Sequence, residues 1–438
     1  MVDVVILAAG RGSRMCSSVP KVLHKVAGLA IVDHVIRSVS SIAPANVVVV
    51  ASEAVMTREY CGCEVVLQSA QNGTADAVMR AIPYIRSEEV IIVCGDLPLL
   101  TAEHLEELTN SKADIAFIAT ELPCRLMRMP YGRVITKDGR FVKIVEYADA
   151  ADSDKKCGVI NTGIYKFKTS LLAEMLRKVE KSEATGEYYL TETLGIAQRL
   201  GMTISIVENG DYEAFHGVNT MKDLAIAEGI MQNRIRNTFM DLGVRMLNPE
   251  STFLSYDTEM ESDVTIEQNV VMGTGVKIRG GAIIKAFSYL EDCEIGANTS
   301  VGPFARIRGS SRLERGVTVG NFVEVKGTML GENSKAKHMA YLGDTYVGSN
   351  TNIGAGTIVC NYDGVNKHKT NIGANAFVGS NTTLIAPLNI GSGAIIAAGS
   401  VITENVENNS LAIARTAQSV MPNGAEKVWA KKGKHIIK

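Results

Sequence analysis

The chain has 438 residues, 46% of them hydrophobic and 21% charged, with a formal net charge of −2. That length exceeds one ordinary core and predicts two domains. The near-neutral charge excludes a general binder of nucleic acid or anionic membrane, so any phosphate site must be local.

No basic segment precedes the first apolar run and no stretch approaches the length of a membrane span, so a cytoplasmic location is expected. Eight cysteines lie scattered, without CxxC pairs at zinc-site spacing, and read as reduced thiols. Strand-like apolar runs at Val4–Ala9, Val47–Ala51, Val65–Gln68, Val90–Val93, Ile115–Thr120 and Thr203–Val207 alternate with amphipathic stretches. The alternation predicts an α/β, Rossmann-like domain over residues 1–219, with a mainly parallel sheet whose ligands gather beyond the carboxyl ends of the strands. Two of these runs end at Gly10 and at Gly95-Asp96, which marks both as site loops. From Thr220 to Leu242 the pattern turns helical, opening on Thr220-Met-Lys-Asp223 as a capping box and closing before Gly243. Residues 220–242 are read as a linker helix.

Beyond it an aliphatic residue returns every six positions, at Ile266, Met272, Ile278, Ile284 and Leu290, then at Ile295, Val301, Ile307, Leu313, Val319 and Val325. The count resumes at Val347, Ile353 and Val359, and again from Ile372 through Val378, Leu384, Ile390 and Ile396 to Ile402. This period belongs to neither a helix nor a half-buried strand and is the signature of a parallel β-helix, assigned here to residues 243–438. A single coil cannot bury its own face, so the coils must stack. The interruption at Cys360–Asn371 reads as a loop ejected from the coil. The basic tail Ala425–Lys438, with Trp429, Lys431, Lys432 and Lys434, is either solvated or folds over a neighbour's site.

The segment Leu7-Ala-Ala-Gly-Arg-Gly-Ser-Arg-Met15 follows the first strand but fits neither GxGxxG nor a P-loop. Its glycines would let backbone N–H groups approach phosphate oxygens, with Arg14 and Lys21 adding charge. An ordinary strand-to-helix turn with solvated bases is the alternative. Asp96 is either a hard oxygen ligand for Mg²⁺ shared with substrate phosphates or a turn former. Arg308 and Lys326 each follow a repeat aliphatic, three hexapeptides apart, so they leave one face of adjacent coils about 4.8 Å apart. Stacked cations call for an anion between them, unless they form a solvated ladder. His338 is either a general base or a satisfied structural residue.

Leu7–Met15, Lys21, Gln68 with Gly73-Thr74, Gly95-Asp96, Tyr131-Gly-Arg133, Glu146, Asn161-Thr-Gly163, Gly186-Glu-Tyr-Tyr189 and Gly217-Val-Asn219 together resemble the sugar-phosphate nucleotidylyltransferases. Over essentially its whole length the chain resembles the bifunctional bacterial N-acetylglucosamine-1-phosphate uridylyltransferases/glucosamine-1-phosphate N-acetyltransferases. The resemblance implies a left-handed β-helix and two active sites. By it, Leu7, Ala8, Ala9, Gly10, Arg14, Lys21, Gln68, Gly73, Thr74 and Asn219 hold UTP, with the Gln68 side chain and Gly73 backbone reading uracil. Gly132, Glu146 and Asn161 hold the sugar, and Asp96 with Asn219 holds Mg²⁺. Arg308, Lys326, Tyr341 and Asn352 bind glucosamine 1-phosphate, and His338 is the catalytic base. Ala355, Asn361, Tyr362, Ser380, Ala398 and Arg415 line the acetyl-CoA site. The product, N-acetylglucosamine 1-phosphate, then meets UTP. A homotrimer with shared acetyl-CoA sites is implied, with no nucleic-acid or membrane partner.

The chain departs from the family at Asp76, where His is usual, at Met221 for Arg, at Glu192 for Asp and at Gly309-Ser310 for Pro-Gly. The repeats before Ile295 also read as shorter by about a coil. Two other functions are compatible with this domain order: a single-function sugar-1-phosphate nucleotidylyltransferase with a structural or regulatory β-helix, and a non-catalytic scaffold subunit. Arg308, Lys326, His338 and Asn361-Tyr362 speak against the first; Lys21, Asp96 and Asn219 speak against the second.

Overall fold

The computed structural model describes residues 2–126, 129–183 and 185–432, so Lys434 of the tail lies outside the described residues. The chain divides into two compact units, Met1–Asn237 and Thr238–Lys438.

In the first unit, β1 (Asp3–Ala8), α1 (Ile31–Ser40), β2 (Asn46–Ala51), β3 (Glu64–Leu67), α2 (Thr74–Ala81), β4 (Glu89–Cys94), α3 (Glu103–Asn110) and β5 (Ile115–Glu121) follow in turn. Then come the hairpin β6 (Arg133–Lys137) and β7 (Arg140–Val145), β8 (Val159–Lys168), α4 (Thr169–Leu176), α5 (Glu192–Arg199) and β9 (Ile204–Glu208). The sheet order is β9-β5-β8-β4-β1-β2-β3. Val5, Val48, Val50, Val90 and Ile92 pack into a core with residues of α2, α4 and α5. Their chain neighbours Val4, Ile6, Val47, Val49, Ile91 and Val93 pack on the other face with residues of α1 and α3. Burial on both faces is why these strands read as unbroken apolar runs.

All six strands expected from the sequence are present, and β1, β2, β3 and β4 run parallel. Besides the antiparallel β6–β7 hairpin, the exception to the parallel pattern is β8, which lies antiparallel between β4 and β5. Its register shifts between Asn161 and Tyr165. That irregularity breaks the two-residue period and hid the strand in the sequence.

The helix α6 (Met221–Asp241) opens on a reciprocal cap. Thr220 N–H donates to Asp223 Oδ2 at 2.8 Å, and Asp223 N–H donates to Thr220 Oγ1 at 3.2 Å. Leu224, Ala227, Ile230 and Met231 then pack with Met15, Val26, Ile31, Leu99 and Val218. The first half of this helix is therefore core material of the first unit.

The second unit is a left-handed parallel β-helix whose short strands form three parallel sheets of ten, eight and eight strands, each strand pairing with the third one after it except at the two ends of the ten-stranded sheet, where the partner is the second. Ile266, Ile284, Val301, Ile307, Val319 and Val325 are fully enclosed. The coils start earlier than the six-residue count suggested, because Arg245–Met246 and Glu259–Met260 already pair with the next coil. Methionine at both inward positions and the intervening Pro249–Ser251 turn obscured that first coil. At one corner Phe287, Phe304 and Phe322 adopt left-handed backbone angles and stack their exposed rings, with centroids 4.9 and 5.3 Å apart. Within Cys360–Asn371 only residues 361–369 leave the coil, closed by a bridge between Tyr362 and Lys367, because Cys360, Thr370 and Asn371 still pair with neighbouring coils.

Candidate active sites

A cleft of about 720 Å³ opens at the carboxyl ends of β1, β3 and β4, where strands stop and backbone groups lose their partners. Leu7, Ala9, Gly10, Arg14, Lys21, Gln68, Gly73, Thr74, Asp96 and Asn219 line it, together with Arg11, Gln71, Asn72 and Thr185–Glu187. Ala8 does not, because alternation along β1 turns it into the opposite core. Gly73 has φ +112°, and a Cβ there would meet the Tyr188 carbonyl at 2.5 Å. Only glycine lets this turn close against the Tyr188 backbone.

The polar centre is compact. Lys21 Nζ lies 2.5 Å from Asp96 Oδ2 and 3.1 Å from Asn219 Oδ1, and Arg14 Nη2 reaches the same Asn219 oxygen at 3.1 Å. The Asn219 loop is held from behind: Val218 N–H donates to the Asp96 carbonyl at 3.0 Å, and Asn219 N–H to Asp223 Oδ2 at 3.1 Å. Two hard oxygens already converge on one positive group, which is the donor chemistry a Mg²⁺ ion shared with phosphates requires. The residues present fit that ion.

Gly132, Glu146 and Asn161 form a second cluster around β8. Asn161 N–H donates to the Gly132 carbonyl at 2.9 Å, and a Cβ on Gly132 would lie 3.4 Å from Glu146 Oε2. Burial raises the Glu146 carboxyl above its ordinary value, opposed by the Thr191 hydroxyl donating at 2.9 Å. Tyr131, legible in the sequence only as part of a motif, ties this cluster to the Asn219 loop. Its hydroxyl accepts from Gly217 N–H at 3.3 Å, and burial pushes the phenol up to about 12.

In the second unit Arg308 and Lys326 are register partners on adjacent coils, as the period requires, and Tyr341 enters the next coil opposite Glu324. The anion beside Arg308 is internal: Glu324 Oε1 accepts from its Nε at 2.8 Å and lies 2.7 Å from its Nη2. Lys326 instead faces Lys367 from the ejected loop. That second ammonium, with some burial, lowers the Lys326 pKa from its ordinary value. Glu324 and Lys367 were both missed. Glu324 sits two places before Lys326 on the same strand and could have been found from the period; a loop that leaves the coil carries no such register.

His338 ends the strand Lys335–His338, one corner before Tyr341, and Asn352 lies in the next coil of that face. Its Nδ1 is 2.9 Å from Asn321 Oδ1 of the preceding coil. An amide oxygen only accepts, so in this contact Nδ1 is the donor and Nε2 is the ring nitrogen left for other partners. The ring opens onto a groove of about 440 Å³ shared with Asn321, Phe322 and Lys337. Ala355, Ser380 and Ala398 take equivalent turn positions in later coils, joined by Asn381 N–H to Ala355 O at 2.7 Å and Gly399 N–H to Ser380 O at 2.8 Å. Arg415 passes 3.8 Å from where a Cβ on Gly399 would stand. Tyr362 is exposed, whereas Asn361 is buried and donates to Asp344 Oδ2 at 2.5 Å. Asn361 therefore lies nearer Tyr341 than the outer edge of the loop: a Cβ on Gly343 would touch both side chains. Gly309, at φ +67°, turns the chain where the family's proline would hold φ near −65°.

Residues 4–129 match the MobA-like NTP transferase domain and residues 369–404 the bacterial transferase hexapeptide of six repeats. The chain is 41% identical to the bifunctional protein GlmU of Bartonella bacilliformis, covering 97% of this chain and 96% of that one. It is 43% identical to the bifunctional protein GlmU of Streptococcus thermophilus, covering 94% and 95%. With the protein of the same name from Wolbachia pipientis it shares 43% identity over 94% of this chain and 97% of the other. At such identity over nearly full length, the chain belongs to the family of bifunctional GlmU proteins.

Proposed function

We propose that the protein makes UDP-N-acetylglucosamine in two steps, acetylating glucosamine 1-phosphate and then transferring UMP to the product. The observation that carries this reading is one chain holding both kinds of site: the Lys21–Asp96–Asn219 cluster at strand ends, and on the β-helix a His338–Asn321 pair and the stacked Arg308 and Lys326.

In the acetyl transfer, Arg308, Lys326 and Lys367, with the Tyr341 hydroxyl and Asn352, hold the sugar phosphate. His338 Nε2 takes a proton from the amine as its nitrogen attacks the thioester carbon of acetyl-CoA, and CoA leaves as the thiolate. The Ala355 N–H, which donates to nothing among the described residues, is offered to the developing oxyanion. Asn361, Tyr362, Ser380, Ala398 and Arg415 line the acetyl-CoA groove.

In the uridylyl transfer, the backbone from Leu7 to Gly10 and Gly73-Thr74 cradle UTP, and Gln68 reads the base. Gly132, Glu146 and Asn161 hold N-acetylglucosamine 1-phosphate. Its phosphate oxygen attacks the α-phosphorus in line and pyrophosphate leaves, while Arg14 and Lys21 balance the charge that develops. Asp96 and Asn219 would hold Mg²⁺, which neutralises phosphate charge when bound. Lys21 then turns from the carboxylate to the phosphates.

A homotrimer is part of this proposal. The feature that favours self-association is the exposed aromatic ladder of Phe287, Phe304 and Phe322, continued by the exposed Met339. Among the described residues no helix is long and apolar enough to cross a membrane.

The test separates the half-reactions. Thiol release is followed with acetyl-CoA and glucosamine 1-phosphate, and pyrophosphate release with UTP, N-acetylglucosamine 1-phosphate and Mg²⁺. Both signals are expected from the parent protein; absence of thiol release would reduce the β-helix to a structural element.

A further inference from the structure

The cleft contains a device that acts on Gln68 from outside the substrate. Gln68 is 4% exposed, and its Nε2 donates to the Gly73 carbonyl at 3.1 Å and to Asp76 Oδ2 at 2.7 Å. Both partners are acceptors that cannot donate in these bonds. The NH₂ end of the amide must therefore face Asp76 and Gly73. Its Oε1 accepts nothing among the described residues and is not one of the enclosed, unpartnered atoms, so it opens to the cleft that Gln68 lines. The Gly73 N–H also donates to nothing among the described residues. Asp76 is held in turn by Arg80 at 3.2 Å, one turn along α2, in the first turn of a helix whose N-terminus favours a carboxylate.

We infer that Asp76 is a positioning residue for base selection, fixing Gln68 as an acceptor so that with the Gly73 N–H the cleft presents one acceptor beside one donor. This rests on the uridylyltransferase reading above. Uracil offers the matching edge, an N3–H donor beside a carbonyl acceptor. Cytosine offers an N3 acceptor at that place, which would face Gln68 Oε1 lone pair to lone pair. Were the amide free to rotate, its NH₂ end could satisfy cytosine N3 equally well. The carboxylate removes that option. Asp76 also occupies a position where His is usual in the family that the chain resembles, and here the residue that faces Gln68 is a carboxylate.

The test is the ratio of kcat/KM for UTP to that for CTP, which share ribose, triphosphate and ring size. It is measured for the parent, Asp76→Asn, Asp76→Leu and Asp76→Glu, with N-acetylglucosamine 1-phosphate and Mg²⁺. Asn is isosteric and can present either an oxygen or an NH₂ to Gln68, so only the weaker bond to the Gly73 carbonyl still opposes rotation of the amide. The expected result is a ratio that falls by about 10- to 100-fold in Asp76→Asn and Asp76→Leu, the scale of one unpaired buried polar group. Most of the fall should appear as improved KM for CTP, and Asp76→Glu, which keeps a carboxylate, should retain more of the preference. A purely structural role would lower kcat/KM for both nucleotides together. Ratios unchanged in Asp76→Asn and Asp76→Leu would overturn the inference while leaving the uridylyltransferase reading intact. A parent that turns over neither nucleotide would instead overturn that reading itself.

Discussion

Asp96 and His338 each depend on one neighbour for their state. Asp96 shares Lys21 with Asn219, so Asp96→Ala removes the carboxylate and leaves the Lys21 ammonium with the Asn219 oxygen alone. Uridylyl transfer should fall by at least about 100-fold, since even outer partners of a bound metal are commonly worth 10- to 100-fold. Acetyl transfer, assayed in the same preparation, should be unchanged. His338 relies on Asn321 to keep its proton on Nδ1. Removing the base in His338→Ala should cost about 10²- to 10⁴-fold in acetyl transfer. Asn321→Ala should cost less and change kcat more than the KM for glucosamine 1-phosphate; a change confined to KM would place Asn321 in binding instead. Glu146 gives a prediction of opposite kind. Its folded-state carboxyl titrates above its unfolded value, so its contribution to stability is present below the unfolded pKa and is lost as pH rises through the folded one. Glu146→Gln should therefore raise Tm at pH 8, with a gain that shrinks toward pH 4, while weakening sugar binding. A gain independent of pH would mean that the buried charge is not its source.

Among the elements, those with a clean period were legible in the sequence and those without were not. Parallel strands enclosed on both faces left unbroken apolar runs, and the β-helix left a six-residue return, so both were read nearly to their ends. The strand Val159–Lys168 was missed because the Asn161-Thr-Gly163 irregularity interrupts its alternation, although the same three residues were legible as a site motif. Of the sites, Arg308 and Lys326 could be stacked from the period alone. Glu324, Lys367 and Asn321 escaped because their roles arise from side chains meeting across coils, which spacing does not record. The helix Met221–Asp241 shows how far a local signal reaches: its capping box was readable, but not that its first half packs into the nucleotidyltransferase core. Thr220→Ala removes one of the two reciprocal bonds and should cost about 1 kcal/mol. Because Asp223 also accepts from Asn219 N–H, the same variant should weaken Mg²⁺-dependent nucleotide binding, measured by calorimetry with UTP. A stability loss with unaltered binding would separate the cap from the site.

For the molecule as a whole, two units with separate cores place two chemistries on one chain. Core damage should then be felt locally. Ile307→Ala, a fully enclosed position between coils carrying Arg308, should cost about 2–5 kcal/mol and reduce acetyl transfer while sparing uridylyl transfer. Light scattering should report a trimer, and charge placed on the aromatic ladder by Phe304→Glu should shift it toward monomer; a parent that is monomeric at micromolar concentration would contradict shared acetyl-CoA sites. The most direct measurement is mass spectrometry of the products formed from glucosamine 1-phosphate, acetyl-CoA, UTP and Mg²⁺ by the parent, His338→Ala and Asp96→Ala proteins. The account predicts UDP-N-acetylglucosamine from the parent, unreacted glucosamine 1-phosphate with His338→Ala, and accumulated N-acetylglucosamine 1-phosphate with Asp96→Ala. Nucleotide-sugar formed only when N-acetylglucosamine 1-phosphate is supplied, with no acetyl transfer by the parent, would contradict it.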